Sequence, residues 1–385
     1  MDGRFESQKD NVLARLRELA PLVARHRAEF DTKRRLSGAV IDALVAADLF
    51  RLWTPRNYGG AELAPRDLID VIEEASAMDA SFGWVLTNVA THSRLMGYLP
   101  AQTAADWAGQ PDAAIAGSTG ALGKATRVQG GYLVSGQWPY GSGVQTARRI
   151  MGLCKKEDAS DDPALSLLCC FFAADQIRII DNWHVSGLRG SGSCDFCVDA
   201  VFVPDAHCHA FINTVPVAPG MLFRLPILSL LPFSVALVPL GIARAAIAAF
   251  VDIATRTRGG TTLPLREREM IQADVARAEA LRRSAKALVI DALADLETAM
   301  DLGGADLIAA RAFFRVSLAH CGESCLRAVE MMAAAAGAAA IKEDCPLERC
   351  VRDVHAAVKH IAMAPHNFVV GGKVLLGLDP GTARF

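Results

Sequence analysis

Excess charge of either sign, aromatic side chains and long uninterrupted apolar runs are all scarce in this sequence, and each shortage removes a class of function. Forty Lys and Arg stand against 42 Asp and Glu, a formal charge of -2. No basic block is longer than a few residues, so nucleic acid is not an expected partner. No apolar run of roughly 18 residues stays clear of charge and proline, and no membrane span is expected. The opening residues, MDGRFESQKDNV, are polar where a secretory signal would be apolar. A cytoplasmic location is therefore expected.

Cysteine is also sparse, ten in 385 residues, far below the density of a disulfide scaffold, and the thiols should stay reduced and mostly fill core positions. One grouping has the composition of a zinc site: Cys194, Cys197 and Cys208 with His207 and His209. Residues 193–203 read as a strand, however, which sends Cys194 and Cys197 to opposite faces. No metal is expected.

What is abundant is Ala, Leu and Val. Hydrophobic residues make up 52% of the chain but aromatics only 6%, a balance suited to closely packed helices. Helical spacing runs through residues 12–110, as in LARLRELAPLVARHRAEF, and Pro65 falls where a helix can begin. Between residues 112 and 205 short alternating runs separated by Gly, Asp and Pro predict six or more strands. Helical periodicity returns from residue 234 to about residue 340, and residues 345–376 read as one more helix with a loop near Pro365. The Ala-rich stretch 333–340 reads as close helix packing. The expected organisation is an all-α segment (1–111), a central β domain (112–213) and a C-terminal helical bundle (214–385).

That order, with LFRLWTPRNYGGAEL near the start, GGYLVSGQWPYGSG and GLRGSGSCDFCVDAVFVPD in the β region and PLERCVRDVHAAVKH near the end, resembles the acyl-CoA dehydrogenase superfamily over nearly the whole chain. The resemblance implies a mainly α fold with a β-barrel-like central domain and a four-helix bundle. It also implies a flavin between the β domain and the C-terminal helices, and a homotetramer. GQWPYGSG and GLRGSGS place small residues and hydroxyls beside an aromatic, so that backbone can approach a flat ring.

In acyl-CoA dehydrogenases the segment after the Arg-Asp pair supplies a glutamate base. Aligned on Arg352 and Asp353, that position holds Ile361, with His360 beside it. Isoleucine takes no proton, so simple dehydrogenation of a CoA ester loses its central residue. The pattern is instead similar to the flavin-dependent monooxygenases of this superfamily: oxygenase components of phenol and secosteroid hydroxylases, dibenzothiophene monooxygenase and amino-sugar N-oxygenases. These take reduced FMN or FAD from a separate flavin reductase, form a C4a-(hydro)peroxide with O2 and oxygenate a small aromatic or heteroatom-containing substrate.

The resemblance assigns His360 to the face of the oxygen adduct, His92 and Ser118 to the substrate side, and Ser142 to the flavin N5. It places Trp138, Tyr140, Gly143 and Ser193 at the cofactor, and Arg258 at its phosphate, a role that Arg256 could exchange. His355 would lie on another face of the helix carrying His360. One departure is that the chain reads GSGVQTARRIMGL where the hydroxylases carry a histidine and a tryptophan, which leaves the phenol match incomplete. Two other readings remain: a divergent FAD-dependent acyl-CoA dehydrogenase or oxidase lacking the glutamate, and a flavin-less scaffold.

Overall fold

In the computed structural model, residues 7–110, 112–157, 166–212, 214–256 and 264–381 are described. They pack as two compact units, the first built from the described residues within Met1–Val71, Trp84–His184 and Arg189–Leu231, the second from those within Ile72–Gly83, Val185–Leu188 and Pro232–Phe385.

The first unit opens with helices whose starts are written in the sequence. Ser7 caps α1 (Gln8–Glu18) by accepting the Asp10 N–H, and Ser37 does the same for α3 (Gly38–Ala46) at Val40. Between them lies α2 (Ala20–Lys33). Proline begins α4 (Pro65–Met78), where its missing N–H costs nothing. α5 (Ala80–Ser93) and α6 (Ala101–Ala108) complete the set; α4 and α5 each contribute residues to both units.

Among the described residues seven strands follow: β1 (Ile115–Val128), β2 (Gly131–Trp138), β3 (Arg149–Lys156), β4 (Leu167–Ala173), β5 (Arg178–Ile180), β6 (Asp195–Pro204) and β7 (Cys208–Ala210). They form one mixed sheet in the order β5-β6-β2-β1-β3-β4-β7, with β1 antiparallel to β2 but parallel to β3. Trp138 fills one face of the sheet, its ring stacked on Phe196 at 5.2 Å and its indole N–H donated to the Leu153 carbonyl at 2.8 Å. Burying such a side chain contributes roughly 1.5–3 kcal/mol. In β6 Cys197 is half-exposed, whereas Cys194, just before the strand, is buried. Among the described residues no cluster of His, Cys, Asp and Glu could hold a metal ion.

After α7 (Met221–Arg224) come α8 (Ile227–Ala236), α9 (Val238–Arg256), α10 (Glu269–Leu302), α11 (Gly304–Ala336), α12 (Pro346–Ala357) and α13 (His366–Leu375). The second unit centres on α11, against which α9, α10, α12 and α13 pack. Gly303 and Gly304, both in the left-handed region, turn α10 back into α11. Buried Glu73 is matched inside this unit by Arg282 and Lys286. The stretches Ile227–Thr255 and Gly304–Ile341 are long and apolar enough to cross a membrane by length and composition; the first is mostly buried within the fold.

One expectation about the C-terminus needs correction. Residues 345–376 form two helices, not one, and α12 stops at Ala357, well before Pro365. His360 lies off the helix in extended backbone, capping a 3-10 turn at Ile361–Met363. Its ring competes for backbone hydrogen bonds, as short polar side chains do at turns, so His355 and His360 do not share a helix.

Candidate functional site

In the first unit the segment after β2 makes a tight turn. Tyr140 adopts φ 60° and Gly143 φ 78°. Gly141 donates its N–H to the Cys194 carbonyl at 2.9 Å, and a Cβ there would lie 2.9 Å from the Phe196 ring. Only glycine allows that approach. The turn delivers Ser142 into a buried hydroxyl chain. The Trp84 indole donates to Ser142 Oγ at 3.0 Å, Ser142 Oγ meets Ser193 Oγ at 2.7 Å, and Ser193 Oγ meets Ser191 Oγ at 2.8 Å. Ser191 and Gly143 also line a cavity of about 350 Å³ bordered by Glu29, Lys33, Gln145 and Thr146.

His92 and Ser118 belong to the same unit, and Ser118 adjoins this turn. His92 is buried in the last turn of α5, with Nδ1 at 2.7 Å from the Asn88 carbonyl. A carbonyl only accepts, so Nδ1 carries the proton and Nε2 the lone pair. Burial lowers the imidazole pKa, which favours this neutral form. Gly117 of β1 leaves room for the ring: a Cβ there would stand 3.1 Å from His92 Cδ2. Ser118, next along β1, donates to the Pro139 carbonyl at 2.5 Å and accepts the Gly120 N–H at 3.1 Å. It therefore braces the turn that carries Ser142.

Within the second unit, His360 has the opposite arrangement. Its Nδ1 accepts the Ala362 N–H at 3.2 Å, so the proton of the neutral ring resides on Nε2. Burial pushes the imidazole down to about 4. Asn367 clamps the turn by donating to the carbonyls of Ile361, Ala362 and Ala364 at 3.0, 3.2 and 3.0 Å. Gly322 of α11 admits Met363, since a Cβ there would lie 2.9 Å from that side chain. Ile361 is 66% exposed. Asp353 accepts the Leu188 N–H at 2.7 Å, while Arg349 pairs with Asp79 at 3.0 Å and lies 3.8 Å from Asp353.

The sequence-derived candidates thus fall in two sets: His92, Ser118, Ser142, Gly143 and Ser193 belong to the first unit, and His360 belongs to the second. Trp138 is a core residue of the sheet, whereas Tyr140 is 66% exposed, edge-on to Trp183 at 6.4 Å. Arg258 lies outside the described residues, as does the Arg256 side chain. Sequence reasoning missed Trp84, Ser191 and Asn367. Ser191 could have been found from GLRGSGS, where it lies two residues before Ser193; Trp84 and Asn367 carry no local signal.

Residues 9–104 match the acyl-CoA dehydrogenase N-terminal domain and residues 233–365 the acyl-CoA dehydrogenase C-terminal domain. The FADH(2)-dependent resorcinol hydroxylase oxygenase component of Rhizobium sp. (strain MTP-10005) is 32% identical over 96% of this chain and 95% of its own length. The chain belongs to the acyl-CoA dehydrogenase superfamily, within its flavin-dependent monooxygenase branch. Indole-3-acetate monooxygenase of Pseudomonas putida is 30% identical over 91% of this chain and 90% of its own. Among solved structures, XiaF from Streptomyces sp. in complex with FADH2 and glycerol superposes with a TM-score of 0.87 at 26% identity, covering 97% of both chains. The turn suits the cofactor of this superfamily. Between exposed Tyr140 and Gly143 no side chain is larger than a hydroxymethyl, and Ser142 brings a group that can both donate and accept.

Proposed function

We infer that this chain is the oxygenase component of a two-component flavin-dependent monooxygenase, acting on a small aromatic or heteroatom-containing substrate. The observation that carries this reading is the tautomer of His360. A dehydrogenase needs a lone pair to take an α-proton, and the ring that stands beside the former glutamate position holds a hydrogen on Nε2 instead. An N–H donor suits a developing oxygen charge; it does not suit proton abstraction.

Reduced flavin, when bound, supplies the two electrons that activate O2 for insertion of one oxygen atom. His360, as an Nε2–H donor, would hold the reacting oxygen and keep it from leaving as peroxide. His92 Nε2 accepts the proton of a substrate hydroxyl or amine and raises its nucleophilicity, a contribution of typically ~10²- to 10⁴-fold. Ser118 keeps one lone pair for the same substrate group, its hydrogen being committed to Pro139. Ser142, backed by Ser193, would hold the N5 edge of the ring, Tyr140 would supply an aromatic contact, and Arg258 would hold the phosphate, where a guanidinium forks onto phosphate oxygens. FADH2 in the names of the resorcinol hydroxylase and the XiaF complex favours reduced FAD over FMN.

The partners are a flavin reductase and three further copies of the chain in the cytoplasm. Exposed Ile308 and Phe313 on α11 and Val369, Leu375 and Leu376 at α13 support assembly. The test is oxygenation of a phenol, indole and thiophene panel with reduced FAD and O2. Product should match O2 consumed, and His360→Ala should divert most of that O2 to hydrogen peroxide. Tight retention of oxidised FAD and its bleaching by an acyl-CoA without O2 would replace this reading with the dehydrogenase one.

A further inference from the structure

The hydroxyl chain behind Ser142 is longer than holding a cofactor requires, and it ends at a cavity. We propose that Ser142, Ser193 and Ser191 form a proton relay between the flavin N5 edge and that cavity, reversing its hydrogen-bond polarity when the flavin changes redox state. This rests on the proposed placement of Ser142 at N5.

A serine hydroxyl has one hydrogen and two acceptor positions. The Trp84 indole N–H can only donate, so it permanently occupies one acceptor position of Ser142. One hydrogen and one acceptor position are left, to be divided between the flavin edge and Ser193, 2.7 Å away. Reduced flavin has a hydrogen on N5 and oxidised flavin a lone pair there. With reduced flavin, Ser142 accepts from N5–H and must donate to Ser193, which then donates to Ser191 at 2.8 Å. Oxidised flavin needs every hydrogen turned the other way.

Passing one proton along the chain makes that change. The N5–H bond breaks with its electron pair left on nitrogen, and Ser142 takes the proton while giving its own to Ser193. Ser193 does the same to Ser191, and the Ser191 hydrogen goes to water. Each serine again holds one hydrogen, now pointing towards N5. The two electrons of the oxidation go to O2 in the proposed reaction; the relay moves only the proton. At about 350 Å³, with Ser191 in its wall and Glu29 and Lys33 at its border, the cavity has room and polar partners for water.

The relay makes a thermodynamic prediction separate from turnover. In Ser193→Ala the Ser142 hydrogen has an acceptor when flavin is oxidised but none when it is reduced. An unsatisfied buried donor of this kind weakens binding of reduced flavin about tenfold or more, leaving oxidised flavin within about threefold. Ser193→Thr, which keeps the hydroxyl, should restore the ratio. Dissociation constants for both redox forms of FAD, measured anaerobically by titration, decide the matter. Equal weakening of both forms, as loss of packing would give, or no change, overturns the relay while leaving the flavin reading intact. A wild-type protein that binds neither form overturns both. A crystal structure of the protein without flavin should also show ordered water bonded to Ser191 Oγ in the cavity; a dry wall there overturns the outlet.

Discussion

Asp353 should make the stability of this protein fall as pH rises, and Asp353→Asn should remove that slope. Its carboxyl accepts the Leu188 N–H. Burial first, and the neighbouring Asp79 second, push it from an ordinary 3.8 up to about 7, against the opposing pull of that hydrogen bond, Arg349 and Arg352. Between about pH 4 and pH 7 the folded protein therefore keeps a proton that the unfolded chain has released. The stabilisation is complete below about pH 4 and is lost as pH rises through about 7. Three pH units at about 1.36 kcal/mol each make this roughly 4 kcal/mol. Asparagine keeps a carbonyl for Leu188 but never ionises.

Melting temperatures of wild type and Asp353→Asn, measured from pH 4 to 8 at fixed ionic strength, should differ by an amount that moves several degrees in favour of the variant across this window. His209 and His360, both pushed by burial to about 4, give the opposite slope in both proteins and cancel in the comparison. The slope is the readout, because the Asn amide next to Arg349 can shift the absolute stability either way. Parallel curves would refute the argument by showing that Asp353 is ionised at no cost.

Two further substitutions probe the site. Asn367→Ala removes the amide group that three carbonyls of the turn holding His360 share and should cost roughly 2–3 kcal/mol of stability; if peroxide release does not also rise, the clamp is not what positions the ring. Gly117→Ala places a Cβ 2.7 Å from the Met151 carbonyl and 3.1 Å from the His92 ring. It should destabilise by about 1–3 kcal/mol and lower product formation at least tenfold with flavin affinity preserved, and unaltered turnover would remove His92 from the substrate side.

The sequence by itself determined the class of elements and their order. Ser7, Ser37 and Pro65 set helix starts through local hydrogen-bond chemistry, and the switch from helical to alternating spacing near residue 112 announced the sheet. It also placed Ile361, which takes no proton, where the family resemblance leads one to expect a carboxylate. Tertiary structure decided the tautomers, because a tautomer depends on which backbone group stands opposite a ring. Nothing in the string THSRL or VKHIA says that His92 meets a carbonyl and His360 an N–H. Sequence periodicity also could not reveal that α12 ends at Ala357, since Asn367 stabilises the turn after it from the next helix. Nor could it join Trp84 to Ser142 and Ser191, which are distant in sequence and meet because α5 packs over a turn that only Gly141 allows.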